Sequence, residues 1–87
     1  MSIKVTCIGH IKTSVGRETV VFEREEMNAS ELIEALREMG AADPNMGFTK
    51  FNTLLVVNGA SAFTAAAHDK KLQSGDDVFL LPFSHGG

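Results

Sequence analysis

The run Val78-Phe79-Leu80-Leu81-Pro82-Phe83 is apolar at every position. A strand sends alternate side chains to opposite faces. A strand of this composition therefore seeks apolar surroundings on both faces, as in the interior of a sheet. Thr53-Leu54-Leu55-Val56-Val57 has the same character. One other segment has the length and period of an amphipathic helix, and one helix covers one face of a sheet. The combination calls for a two-layer α+β arrangement. It leaves the second face either to long loops or to an exposed patch that docks a partner. For 87 residues, enough for one domain, partial docking is the expectation.

The helix has the clearest local grammar in the chain. Asn28 stands as its cap, with Glu31 three residues on, as in a capping box. Met27 and Leu32 occupy the positions of a hydrophobic staple. Leu32, Ile33, Leu36 and Met39 recur at helical spacing as a core stripe, while Glu31, Glu34, Arg37 and Glu38 turn outward. Gly40 suits a left-handed stop. The spacing predicts a helix over 29–39.

Ahead of it, Ile3-Lys4-Val5-Thr6-Cys7-Ile8 alternates and reads as a strand, with Ile3, Val5 and Cys7 on one face. His10 to Arg17 reads as a hairpin loop. Glu18 to Glu23 is the return strand, with Val20 and Phe22 inward, and Glu23-Arg24-Glu25-Glu26 is a solvated connection. After the helix, 41–52 is a loop pinned by Phe48 and Phe51. Asn58-Gly59 is a strong turn signal after the strand at 53–57. Ser61-Ala62-Phe63 is a short strand, and 64–74 is irregular and partly helical, with Leu72 plugging the core. Gly75-Asp76-Asp77 turns the chain into the last strand, glycine for a positive φ and aspartate for bonds to backbone amides.

A net charge of −3 without a Lys/Arg cluster argues against nucleic acid. No apolar run approaches a membrane span, and the N-terminus lacks a signal peptide's basic and apolar regions. The single Cys7 excludes a disulfide framework and a cysteine-based metal or iron–sulfur site, and it fits a reducing cytoplasm. On a face with Ile3 and Val5 it reads as a small buried hydrophobe. His10 and His68 read as surface residues. No triad, metal cluster or phosphate loop is visible, so no catalytic residue of the chain's own is expected.

The last strand runs directly into Ser84-His85-Gly86-Gly87. Two glycines make a thin tail without side chains. Such a tail can enter a channel too narrow for other residues and deliver a carboxylate to an enzyme. The bland alternative is a frayed terminus. Ser84 and His85 are candidates for hydrogen bonds along that channel, and a protonated His85 could offset the carboxylate's charge.

With these residues in place, the chain resembles the MoaD/ThiS family of ubiquitin-like sulfur carriers. The likeness rests on Val57-Asn58-Gly59, on Leu72-x-x-Gly75-Asp76-Asp77-Val78, and on Gly86-Gly87. It implies the β-grasp fold over 1–83, a mixed sheet of four to five strands with one main helix on one face and the last strand central and parallel to the first. Residues 84–87 would be a flexible diglycine tail. The family's Pro-Pro-Val-Ser/Thr-Gly-Gly ending is matched only at Pro82 and the diglycine. The long segment between Asn58 and Gly75 is more like carriers for cysteine synthesis or archaeal ubiquitin-like modifiers.

The resemblance implies that the Gly87 carboxylate is adenylated by a ubiquitin-activating-like enzyme, which uses ATP and Mg²⁺, and becomes a thiocarboxylate. The sulfur then passes to a synthase subunit making molybdopterin, tungstopterin, thiamine or an amino acid. The other class of function is a protein modifier joined through Gly87 to target lysines. In either case Phe79, Leu81 and Phe83 are the expected docking residues, Ser84, His85 and Gly86 thread the tail, and the chain itself holds no cofactor or metal.

Overall fold

A computed structural model describes residues 2–39 and 48–83. The elements run β1 (Ile3–Cys7), α1 (His10–Val15), β2 (Thr19–Phe22), β3 (Glu26–Asn28), α2 (Ala29–Met39), β4 (Thr53–Val57), β5 (Ser61–Thr64), β6 (Lys71–Gln73) and β7 (Asp77–Pro82). Five strands form a mixed sheet in the order β2-β1-β7-β4-β5. The last strand lies at its centre, parallel to β1 and antiparallel to β4. This is the β-grasp arrangement of ubiquitin-like proteins.

Register explains why the doubly apolar strand belongs in the middle. Val5 stands opposite Val20 and Val78, and Val78 opposite Val57. Cys7, Leu80 and Leu55 make the next row. All these side chains face the layer that holds α2, whose Leu32, Ile33 and Leu36 are fully buried. Burial at Cys7 pushes its thiol pKa upward, so the group stays a protonated hydrophobe.

α2 occupies the span expected from its sequence. Its start is more elaborate. The Asn28 N–H donates to Glu31 Oε1 at 3.3 Å, one arm of the capping box. The Ser30 N–H is taken instead by Asp69, 39 residues away, at 2.8 Å, and the Ser30 hydroxyl donates to the same carboxylate at 2.9 Å. These bonds hold the Asp69 carboxyl below its usual pKa. At the other end Met39 is 42% exposed, so the core stripe stops at Leu36. Gly40 and the turn at 41–47 lie outside the described residues.

Four further sequence expectations change. The hairpin loop from His10 to Arg17 contains the six-residue helix α1. Ile11 and Val15, one turn apart, are its buried pair, and Gly16 closes it with φ 91° and an N–H bonded to the Lys12 carbonyl at 2.9 Å. So short a helix is marginal alone and exists because it packs on α2 and β7. The connection before α2 is not wholly loop, and 64–74 is not helical. Glu26–Asn28 and Lys71–Gln73 pair as a small second sheet, with Met27 opposite Leu72. Both of those side chains are buried, which bears out Leu72 as a plug. Finally, Phe48 is buried but Phe51 is 58% exposed, with the Lys50 ammonium 5.5 Å from its ring centre. Of the expected pair, only Phe48 is buried.

Candidate functional site

The site is built around the end of β7. Its two neighbouring strands fix the direction in which the chain leaves the sheet. Thr53 stands opposite Pro82, and one further bond, from the Phe83 N–H to the Asn52 carbonyl at 2.8 Å, carries the pairing past the strand. Asn52 is held for this role by its own side chain. Its Oδ1 accepts the Thr49 N–H at 2.6 Å and the hydroxyl of the fully buried Thr53 at 3.3 Å. On the other side, Gly9 turns with φ 67°, and a Cβ there would lie 3.1 Å from Pro82 Cγ. Glycine is needed for both the dihedral and the approach. Sequence reasoning missed Gly9 and Asn52. The only local signal was the Thr49-x-x-Asn52 turn pattern.

The opposite end of β7 is anchored by Asn58, Asp76 and Asp77, which come together although nineteen positions separate the outermost pair. The Asn58 amide donates to Asp76 Oδ1 at 3.1 Å, and its Oδ1 accepts the Asp77 N–H at 2.9 Å. The other Asp76 oxygen accepts the Gln73 N–H at 2.8 Å. Asn58 and Gly59 both have positive φ, as a tight turn between β4 and β5 requires, and Gly75 has φ 96°. These residues are structural: they hold the start of β7 in register against β4.

The outer face of the sheet carries the remaining apolar side chains. Thr6, Phe79, Val56 and Ala62 form one row across it, and Leu81, Leu54 and Thr64 the next. Phe79 is 39% exposed, and Leu81, Leu54 and Val56 are half-buried. Phe83, at 36% exposed, continues the line of Phe79 and Leu81 toward the tail. The charged residues of this face, Lys4 and Asp77, stand opposite one another in register. The patch is thus apolar and close to neutral, and the described part of the chain covers none of its centre.

Of the sequence-predicted site residues, Phe79, Leu81 and Phe83 therefore share one face beside the exit of the tail. Ser84, His85, Gly86 and Gly87 lie outside the described residues. His10 and His68 are exposed, His10 on α1 and His68 edge-on to Phe63 with ring centres 5.4 Å apart. Among the described residues, no group of three or more His, Cys, Asp or Glu is placed to hold a metal ion. No described helix is long and apolar enough to cross a membrane.

No protein-family model matches the chain, and no curated protein sequence is significantly similar to it. Solved structures are similar to it in fold over nearly its whole length. A putative molybdopterin converting factor subunit 1 from Pyrococcus furiosus superposes with TM-score 0.68 at 20% identity, covering 97% of this chain and 99% of the other. SAMP1 from Haloferax volcanii gives 0.66 at 17% identity over 100% of both chains. The small archaeal modifier protein 1 (SAMP1) from Methanosarcina acetivorans gives 0.65 at 15% identity, over 99% of this chain and 96% of the other. The chain has the ubiquitin-like β-grasp fold that these proteins share.

Proposed function

We propose that the protein is a ubiquitin-like sulfur carrier that works through its Gly87 carboxylate. The observation that carries this reading is the end of β7, where a centrally held strand leads into Ser84-His85-Gly86-Gly87 beside an open apolar face. The face supplies affinity for an activating enzyme through Phe79, Leu81 and Phe83, and the diglycine supplies access to its nucleotide site.

The chemistry follows from the carboxylate. Left alone it is a poor electrophile, because oxide or hydroxide would have to leave. Attack of its oxygen on the α-phosphorus of ATP forms an acyl-adenylate and releases pyrophosphate, with the partner's Mg²⁺ and cations stabilising the phosphates. A sulfide-level nucleophile then adds to the acyl carbon and expels AMP, leaving a thiocarboxylate. The carrier brings the acyl group and the docking surface, and the partner brings the catalysis. A downstream synthase accepts the sulfur for a molybdopterin, tungstopterin, thiamine or amino-acid product. The reducing cytoplasm is the setting in which the thiocarboxylate and the unpaired Cys7 both persist.

A second reading has a specific observation behind it. Three of the similar structures are small archaeal modifier proteins, and the same activated carboxyl can acylate a lysine. Intact mass separates the two. With the cognate adenylating enzyme, ATP and a sulfur donor, a carrier exchanges one oxygen for one sulfur. In cell extract, a modifier forms higher-mass conjugates through Gly87. An unchanged mass under both conditions overturns both readings.

A further inference from the structure

A second surface lies at the β2 edge of the sheet. There a groove of about 330 Å³ opens between β2, the β2–β3 connection and α2. Its floor is apolar, made by Phe22, Met27 and Ala35. One wall is acidic: Glu31, Glu34 and Glu38 line the groove from α2, and Arg24 is the single cation in the lining among the described residues. Arg24 is spent on Glu31 at 3.0 Å, and Glu34 meets Arg37 at 3.4 Å on the exposed helix surface. Glu38 is exposed and enters no ion pair among the described residues. Among the described residues the lining therefore carries three carboxylates against one cation.

The strand beside this groove has an open edge. β2 is the last strand on its side of the sheet and pairs with β1 alone among the described residues. The Cys7 N–H donates to the Glu18 carbonyl at 2.7 Å. In an antiparallel ladder this turns Glu18, Val20 and Phe22 toward β1 and leaves the backbone groups of Thr19 and Val21 pointing outward. An extended peptide added there would satisfy those groups. It would place every second side chain over Phe22 and Ala35, with the flanking ones within reach of the glutamates.

We infer that the groove between β2 and α2 docks an extended segment of a partner protein that alternates apolar residues with Lys or Arg. Charge decides the class of occupant: the acidic wall favours a cationic segment and repels an acidic one. The inference goes beyond the carrier reading and does not depend on it. The groove sits at the sheet edge, two strands from β7, roughly 10 Å away at ordinary strand spacing. One partner could hold the protein here while another engages the open face and the tail.

The test is an amide NMR titration of the full chain with the capped peptide Lys-Val-Ile-Val-Lys-Arg, and in parallel with Glu-Val-Ile-Val-Glu-Glu. The expected result is saturating shifts at Thr19 to Glu23 and Glu31 to Glu38 with the basic peptide and none with the acidic one. The double variant Glu34→Lys with Glu38→Lys, at exposed positions that leave the core untouched, should bind the basic peptide on the order of tenfold more weakly. Four outcomes overturn the inference: shifts centred on Phe79, Leu81 and Val56, undiminished binding by the double variant, no shift at millimolar peptide, or shifts of the groove amides with protein concentration alone, which would assign the groove to a second copy of this chain.

Discussion

The two faces of the central sheet come from the same strands and nearly the same residue types, yet they differ sharply in burial. Val78 and Leu80 are fully buried, while Phe79 between them is 39% exposed. Leu55 is buried, while Leu54 and Val56 beside it are only half-covered. The difference is not in hydrophobicity. It is in what lies opposite: α2 and α1 cover one face, and no described element covers the centre of the other. An apolar side chain stabilises the fold in proportion to the area it removes from water. Phe79 and Leu81 therefore contribute less to stability than their composition suggests, and their remaining area is available for docking.

The largest test of this division lies beyond the sheet, in the tail. If the protein is the carrier proposed above, Gly86→Val should lower ATP–pyrophosphate exchange by about a hundredfold or more, the scale of a misplaced reacting group, because a branched Cβ widens and stiffens the segment that the proposal threads into the partner. Binding to the adenylating enzyme should persist. Normal exchange by this variant would mean that access does not depend on a narrow tail.

Next comes the contrast between the faces themselves. Leu36→Ala, under the covered face, should destabilise by about 2–5 kcal/mol in chemical denaturation. Phe79→Ala, on the open face, should cost about 1 kcal/mol or less, since much of its area already meets water. Equal losses would mean the open face is part of the folding core. Phe83→Ala should have the converse profile, near-native stability but roughly tenfold weaker binding to the adenylating enzyme, measured by calorimetry, as for an anchor in an apolar interface.

The smallest effect sharpens the covered side. Asp69→Ala removes the cap on Ser30 and should cost about 1 kcal/mol, toward the low end for helix caps because the carboxylate is exposed and screened. Its folded pKa is lowered by the bonds from Ser30. The stabilisation is therefore fully present above the ordinary aspartate value near 3.8 and fades as pH falls from there through the lowered folded value. A wild-type and Asp69→Ala pair should converge in melting temperature across that acidic window, whereas Phe79→Ala should show no such convergence.

Much of this architecture is legible in the chain because the signals are local. α2 has its stripe, its staple and its glutamate cap within residues 27–39, and β4 and β7 are apolar at nearly every position. Asn58-Gly59 carries its own turn. The choice of Phe79, Leu81 and Phe83 as one set needed only the two-residue period of a strand. α1 was hidden because six residues with two apolar positions have no period to read, and the β3–β6 ladder because three-residue strands do not alternate long enough to register.

The sequence by itself determined the two doubly apolar strands, the one strong helix and the Asn58-Gly59 turn. Each of these rests on residues that are neighbours in the chain. Only the tertiary structure decided which face of β7 stays open, that Asp69 caps α2 across 39 residues, that Asn52 and Gly9 pack against the end of β7, and that an acidic groove opens beside a free strand edge. Those features join segments whose approach is set by strand order and packing, and no local period encodes the distance between them.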